Sequence, residues 1–499
     1  MVVSVVGDRM STLGIPEKIT NWVNGEQRKA KSAEWLPKYS PATGKEIYQL
    51  ARSASDDIDV AVKAAVLAQP AWADMPAVQR GLVLHEIVKE LQSRREEMAQ
   101  VVAQETGKSL KEARGETDGA IQQGLFMAGE GQRLYGRTTT SGVANKYAMT
   151  VRQPVGVAGL IIAANTPIAN VAWKVFPALV CGNAVVLKAA EDTPATAWLF
   201  GAIAKAAGLP DGVLNIVQGS GIEAGAPLVA HEDVGVISFT GSTRVGREIA
   251  AKVGQRMGRV SLELGGKNPL VVCDDADLEN AARWVCLSAF SNAGQRCAAG
   301  SRIIVFDAVY DKFKAMLVEH TARLKVGPGD EHDLGPVINE RQLSCMLSAV
   351  DEARSKGAEV LIGGERLDGE EYQGGYYMAP TLVEAVAPEA AMSTTELFGP
   401  IATLYRVDNF SEALDLANNS PYGLTACIHT QNFNRAMQFS YRVQAGATVV
   451  NAGTYGSEPH MPFGGFKQSG NGTREPGTEA LDVYTELKDI YLIVDPAHV

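Results

Sequence analysis

From residue 154 onward, short apolar runs alternate with helix-like stretches, and this alternation restricts the fold more than any other feature of the chain. Residues 155–163, 184–187, 215–218 and 234–239 are expected strands, with a helix at 195–207. Such runs lack the regular polar face of a half-exposed strand. They fit strands buried on both sides, in a parallel sheet covered by helices. A second block, residues 267–430, repeats the pattern: strands at 269–272, 301–306, 359–362 and 403–407, helices at 278–290, 308–323 and 342–356. At 499 residues the chain exceeds what one hydrophobic core supports, so two α/β domains in succession are expected. No Pro/Ser/Gly linker separates them, and no internal repeat is evident. Upstream, residues 55–69 and 77–106 read as helices; in the second, Leu82, Ile87, Val88, Leu91 and Met98 recur at near-helical spacing. The tail, residues 484–494, is apolar and strand-like. Left free it would be an aggregation edge, so pairing with another subunit is expected.

Composition removes several classes. Hydrophobic residues make up 46% and charged residues 21%, an ordinary globular balance. A net charge of -11 without a Lys/Arg block argues against nucleic-acid binding. The first ten residues lack the basic start and apolar run of a secretory signal. Residues 153–173 carry no charge, but Pro154, Gly156, Gly159, Asn165, Pro167 and Asn170 interrupt them. That favours a buried strand, a loop and a helix over a membrane span. The six cysteines form no CxxC pair and the seven histidines no HxH or HExxH pattern. No disulfide framework and no protein-built metal site are expected, and a reducing cytoplasm is the compartment that fits.

Four segments carry chemistry. The strand at 234–239 runs into Thr240-Gly241-Ser242-Thr243-Arg244-Val245-Gly246 and then a helix, so free N–H groups and the helix dipole would cradle an anion. The order is not GxGxxG, and a tight turn without a ligand is the competing reading. Lys188 and Glu191 follow the strand at 184–187, at the carboxyl end where α/β sheets bind ligands. They suit ribose hydroxyls, or form a solvated pair; a carboxylate at Glu191 would repel a 2′-phosphate and so favour NAD over NADP. Glu263, between Leu262 and Leu264, is either a partly buried general base with a raised pKa or an exposed strand-edge carboxylate. Cys297 stands among Gly294, Gly300 and three alanines, which leave its sulfur reachable, and Arg296 is placed to favour the thiolate. The other five cysteines read as core fillers.

Taken together, these segments resemble the aldehyde dehydrogenase superfamily from about residue 22 to 493. SLELGGKNP resembles its glutamate motif and GQRCAAGSR its cysteine motif. Asn165 in AANTP matches the family's oxyanion asparagine, and Glu396 and Phe398 in ELFGP its ExFGP segment. MPFGGFKQSG and the stretch from Arg474 and Glu475 to Gly477 resemble two later motifs. Each motif alone is common; six in the family's order is the specific signal. The chain departs in two places: Ala164 and Thr166 flank Asn165 where many members carry aromatics, implying a wider or more polar tunnel, and Thr473 looks like an insertion before Arg474.

The resemblance implies two doubly wound parallel-sheet α/β domains and a small β oligomerisation element. The expected division is a Rossmann-like NAD-binding domain (1–133 and 154–263), a catalytic domain (264–465) and the oligomerisation element (134–153 and 480–495). It also implies NAD(P)-dependent, non-acylating oxidation of an aldehyde. Cys297 attacks the aldehyde, the Asn165 amide and the Cys297 backbone N–H hold the oxyanion, Glu263 activates water against the thioester, and Glu475 assists. Lys188, Glu191, Gly241, Ser242, Gly246, Glu396 and Phe398 would hold NAD, with NADP left open. Asn170, Trp173, Phe290, Arg296, Ala298, Tyr455 and Phe463 would surround the aldehyde. Arg296 either greets an acidic tail, as of a dicarboxylic semialdehyde, or tunes the loop. A CoA-acylating dehydrogenase and a cysteine esterase are the alternatives; the family assembles as homodimers or homotetramers.

Overall fold

The computed structural model describes residues 14–498; the reading of the first ten residues lies outside them. Two seven-stranded sheets dominate. In the first, strands Val157–Ile161, Ala184–Lys188, Leu214–Val217, Val236–Thr240 and Arg259–Glu263 are parallel, and the short strands Asn21–Val23 and Glu26–Arg28 close one edge antiparallel. The expected strands at 215–218 and 234–239 lie within one or two residues of those observed. Every residue of Val157–Ile161, Ala184–Lys188 and Leu214–Val217 is buried, because helices Pro167–Val180 and Pro194–Ala206 cover one face and helix Ser55–Asp74 packs on the other. The charge-free stretch at 153–173 is thus strand, loop and helix. Among the described residues no helix is long and apolar enough to cross a membrane.

In the second sheet, strands Asn268–Val272, Gly300–Phe306, Thr381–Glu384, Ile401–Val407, Thr425–His429 and Ala447–Val450 run parallel, and Glu359–Ile362 closes an edge antiparallel. The doubly wound expectation is met, with sheets that are mixed at their edges. The expected helix at 77–106 is two, Ala77–Ser93 and Arg95–Thr106, separated at Arg94 (φ -106°, ψ 21°). After them comes helix Leu110–Glu130, which sequence reasoning left undescribed.

The tail strand Thr485–Ile493 pairs antiparallel with Lys146–Pro154 over nine residue pairs, and Thr138–Thr139 adds a third strand. The outer edge of Thr485–Ile493 has no partner strand among the described residues, and Leu487, Tyr491 and Ile493 on this strand are exposed. Residues after 465 return to the first sheet: Leu264 N–H donates to the Ser469 carbonyl (3.0 Å), and Glu263 bridges Gly470. The two sheets therefore meet at the end of strand Arg259–Glu263, and the chemistry-bearing residues gather there.

Candidate active site

Cys297 lies just past the end of helix Leu278–Phe290, after a sharp reversal. Asn292 (φ 53°), Ala293 (φ 52°) and Gly294 (φ 67°) are successive left-handed residues. For Ala293 that conformation costs about 1–2 kcal/mol, so its surroundings must hold it. Asn292 N–H donates to Glu112 Oε1 (2.9 Å), and its side-chain amide to the Gln295 carbonyl (3.2 Å). Gln295 spans to the next loop, donating to the Pro336 carbonyl (3.3 Å) and accepting from Ile338 N–H (2.9 Å). Gly294 has no room for a side chain: a Cβ there would meet the Gly399 carbonyl at 2.1 Å. Beyond the reversal, Asn268 Nδ2 donates to the carbonyls of Cys297 (2.8 Å) and Ala299 (2.9 Å).

Cys297 is half-buried and stands where two cavities meet. One, of about 590 Å³, is bounded by helix Leu110–Glu130 and the 455–459 loop. The other, of about 300 Å³, runs past Glu263 and Glu396 to Gly241 and Ser242. Asn165, Thr166, Trp173 and Phe463 line both. The Trp173 and Phe463 rings lie 5.4 Å apart, forming an aromatic wall at the junction. Asn165 Nδ2 donates one hydrogen to the Gln295 carbonyl (3.0 Å), which fixes the amide's orientation and leaves its second hydrogen. Lys108 holds the Asn165 carbonyl (2.7 Å) while ion-paired to Glu116 (2.6 Å).

The acids differ in environment. Glu263 is 5% exposed, and neither carboxylate oxygen has a hydrogen-bond partner among the described residues. Burial, reinforced by the nearby charge of Glu475, holds its pKa well above the carboxylate range. The exposed strand-edge reading is thereby overturned. Glu396 accepts from Gly266 N–H (3.0 Å) and is pushed up to about 7 by burial. Lys267 is brought down to about 7, also by burial. The Cys297 thiol is raised to about 12 by burial first, then by Glu396 and Glu263. Arg296, expected to favour the thiolate, does so too weakly to offset them.

On the dinucleotide side, Ser242 caps helix Thr243–Gln255, its hydroxyl accepting from Val245 N–H (3.4 Å). Gly241 and Gly246 are glycines for closeness: a Cβ would lie 2.4 Å from the Phe239 ring or 2.6 Å from Leu264. Gly241, Ser242, Glu396 and Phe398 line the smaller cavity, whereas Gly246 shapes it only through Leu264. Lys188 and Glu191 form an ion pair (2.7 Å) outside that cavity, and although burial opposes it, the Lys188 charge keeps Glu191 below the ordinary carboxylate range. The N-terminus of a thirteen-residue helix, capped by Ser242 at Val245 N–H, leading to a buried carboxylate fits a dinucleotide's phosphates and ribose.

On the other side, Trp173, Arg296, Ala298, Tyr455 and Phe463 line the larger cavity. Asn170 lines the smaller one and braces its turn, donating to the Thr166 carbonyl (2.9 Å) and hydroxyl (3.1 Å). Phe290 is a correction. It is 1% exposed and packs in the core beneath the second sheet, because the left-handed reversal after it turns Cys297 away. Glu475 is a second. It lines neither cavity but accepts two hydrogen bonds from the fully buried Lys174 (2.8 and 3.1 Å), and its backbone pairs with Phe463 (2.7 and 3.1 Å). It acts on Glu263 through its charge and on the aromatic wall through its backbone. Sequence reasoning missed Asn268, although it lies within the SLELGGKNP segment, and Lys174 and Glu112, which lie in none of the quoted motifs. Among the described residues no group of His, Cys, Asp and Glu is placed to hold a metal, and all six cysteines are free thiols.

Comparison with known proteins agrees with this geometry. The family model "Aldehyde dehydrogenase family" matches residues 22–490. The chain is 38% identical to alpha-ketoglutaric semialdehyde dehydrogenase of Bacillus subtilis, over 97% of this chain and all of that one. It is 39% identical to alpha-ketoglutarate semialdehyde dehydrogenase of Haloferax volcanii, over 94% of this chain and 98% of that one. Among solved structures, a betaine aldehyde dehydrogenase of Staphylococcus aureus in complex with NAD+ superposes with a TM-score of 0.94 at 30% identity, covering 96% of this chain and 98% of that one. The fold, the ordered motifs and these matches agree that the chain belongs to the aldehyde dehydrogenase family, enzymes that oxidise aldehydes to carboxylic acids.

Proposed function

We propose that this protein oxidises a semialdehyde with a carboxylate tail to the corresponding diacid, with NAD as hydride acceptor, through a thioester on Cys297. The observation that carries this reading is the place of Cys297 at the junction of two cavities, so that aldehyde and cofactor reach one sulfur from two sides. The sulfur adds to the aldehyde carbon, and the free hydrogen of the Asn165 amide and the Cys297 backbone N–H receive the oxygen's charge. Bound NAD supplies the acceptor for the hydride that leaves that carbon. Gly241, Ser242, Glu396 and Phe398 hold it, with Gly246 packing behind them and Lys188 and Glu191 beyond. The ionised Glu191 disfavours a 2′-phosphate and so NADP. Glu263, buried and without a protein partner, then takes a proton from water as the water attacks the thioester, releasing acid and thiol. This favours hydrolysis over transfer to coenzyme A.

The acidic tail rests on Arg296, whose Nε has no partner and which touches Glu112 only at 3.4 Å while stacking on Tyr455 (5.0 Å). The names of the two semialdehyde relatives point the same way. Carboxylates also border that cavity, at Glu112, Glu458 and the Lys108-paired Glu116, and would instead suit a cationic aldehyde. A panel of succinic semialdehyde, alpha-ketoglutaric semialdehyde, betaine aldehyde and propanal, compared by kcat/KM with NAD and NADP, decides. The dicarboxylic semialdehydes with NAD should lead by at least tenfold; betaine aldehyde in front would sink the acidic-tail reading. The division into an NAD-binding domain (14–133 and 154–263), a catalytic domain (264–465) and a β element belongs to the same proposal. So does assembly into a homodimer or homotetramer through the open edge of Thr485–Ile493, in a reducing cytoplasm that suits six free thiols.

A further inference from the structure

Glu112 and Glu116 stand one turn apart near the start of helix Leu110–Glu130, and each carboxylate reaches a different part of the site. Glu112 Oε1 accepts from the N–H of Asn292 (2.9 Å), the first left-handed residue of the reversal before Cys297, and from Arg296 Nη2 (3.4 Å). Glu116 Oε1 accepts from the N–H groups of Ile168 (3.0 Å) and Ala169 (3.3 Å), in the opening turn of helix Pro167–Val180. That helix receives no side-chain cap from its own Thr166. Glu116 therefore supplies, from another helix, the acceptor and the negative charge that a helix N-terminus favours. Its second oxygen takes Lys108 Nζ (2.6 Å), and Lys108 in turn donates to the Asn165 carbonyl (2.7 Å). The side chains of this ion pair are 3% and 6% exposed, so water and salt weaken their attraction little.

The two oxyanion donors belong to different sheets. Asn165 follows strand Val157–Ile161 of the first, and Cys297 precedes strand Gly300–Phe306 of the second. The direct links between their loops, Asn165 Nδ2 to the Gln295 carbonyl (3.0 Å) and Asn292 Nδ2 to the Asn165 carbonyl (3.3 Å), are uncharged hydrogen bonds. Helix Leu110–Glu130 ties each loop with a carboxylate, and charge-assisted bonds are the stronger kind. We propose that Glu112 and Glu116, with Lys108, are positioning residues, and that this one turn of helix is the spacer that fixes the gap between the Asn165 amide and the Cys297 N–H. They hold the backbones of the donors and are not themselves donors to the oxyanion. The proposal rests on the reading of those two groups as the oxyanion donors, and not on which aldehyde is oxidised.

The test measures kcat and KM of the full-length enzyme with propanal and NAD. Propanal is short and neutral, so it carries no charge that would respond to the loss of a carboxylate. Glu112→Ala and Glu116→Ala should each lower kcat about tenfold or more with KM within about threefold of the parent. Glu112→Gln, whose carboxamide oxygen still accepts from Asn292 N–H, should bring kcat back to within about threefold. The same changes are then made in Asn165→Ala, where one donor is already gone and the gap no longer matters. There each should cost less than about twofold more, a coupling that a merely structural role would not show. Glu116→Ala strands the buried Lys108 ammonium, so Lys108→Met combined with Glu116→Gln is measured beside it. In that variant both charges are gone, the helix keeps its acceptor and the Asn165 carbonyl loses its cation; kcat should again fall about tenfold. Folded Glu112→Ala and Lys108→Met/Glu116→Gln enzymes with kcat within about twofold of the parent overturn the proposal, as do losses of equal size in the parent and Asn165→Ala backgrounds. An Asn165→Ala enzyme that keeps the parent's kcat overturns the oxyanion reading itself, and the proposal with it.

Discussion

The carboxamide of Asn268 spends both hydrogens on the loop that carries the nucleophile, at 2.8 Å to the carbonyl of Cys297 and 2.9 Å to that of Ala299. Its oxygen accepts from Thr425 N–H (3.0 Å), so strand Thr425–His429 anchors the whole arrangement. Asn268→Ala leaves two buried carbonyls without donors, a cost of about 1–3 kcal/mol. A shift of the sulfur by about 1 Å costs on the order of 10²-fold in turnover. We expect kcat to fall by roughly that factor with KM changed little, read by steady-state kinetics and a urea melt.

Glu263→Gln separates the two halves of the reaction. Hydride transfer does not need a base at this position, whereas hydrolysis of the thioester does. Rapid mixing with NAD and aldehyde should give a burst of NADH close to one per active site and then a steady rate reduced about 10²–10⁴-fold. A steady rate equal to the parent's would assign the water's proton elsewhere.

Asn165→Ala removes the side-chain donor from the developing oxyanion. A loss of about 10²–10³ in kcat is expected. Because the same amide also holds the Gln295 carbonyl, part of the loss should appear as a slower reaction of Cys297 with iodoacetamide, which needs no oxyanion.

The Cys297 thiol, raised to about 12, is protonated through the physiological range in the free enzyme. Its thiolate fraction therefore rises with pH until that value is reached. Inactivation by iodoacetamide should accelerate about tenfold per unit between roughly pH 7 and 9, without levelling off. A plateau near pH 8 would mean that Arg296 outweighs burial after all.

Lys174 and Glu475 are 0% and 1% exposed and paired at 2.8 Å. Glu475→Gln strands a buried ammonium, which typically costs about 3–5 kcal/mol. The denaturation midpoint should drop accordingly. Because Glu475 also raises the pKa of Glu263, the rising acid limb of the deacylation rate, set by deprotonation of Glu263, should move to lower pH in whatever fraction stays folded.

Much of the architecture was legible because fully apolar strands leave little choice of environment. Residues 155–163 and 184–187 have no polar side to expose, and both fall in the first sheet. Cys297, Glu263 and Asn165 were legible because each sits in a motif of fixed order. Phe290 departs from what the resemblance implies because three left-handed residues lie between it and Cys297 and turn the two apart. Asn268 was passed over because its role depends on carbonyls some thirty residues away. The short strands Asn21–Val23 and Glu26–Arg28 are too brief to carry a period; they pair with each other and join the first sheet through a contact far along the chain, Trp22 with Ile216.

The two cavities share only the wall formed by Asn165, Thr166, Ala169, Trp173, Phe463 and Cys297. On the proposed reading, most of the residues that would tell one aldehyde from another lie on one side of that wall, on helix Leu110–Glu130 and the 455–459 loop, while those that would hold the hydride carrier lie on the other. Substitutions on the first side would then alter the choice of aldehyde without touching the redox half. Aldehyde preference on this scaffold would therefore be open to change through one helix face and one loop, and an inhibitor aimed at that side would meet residues that one aimed at the dinucleotide side does not.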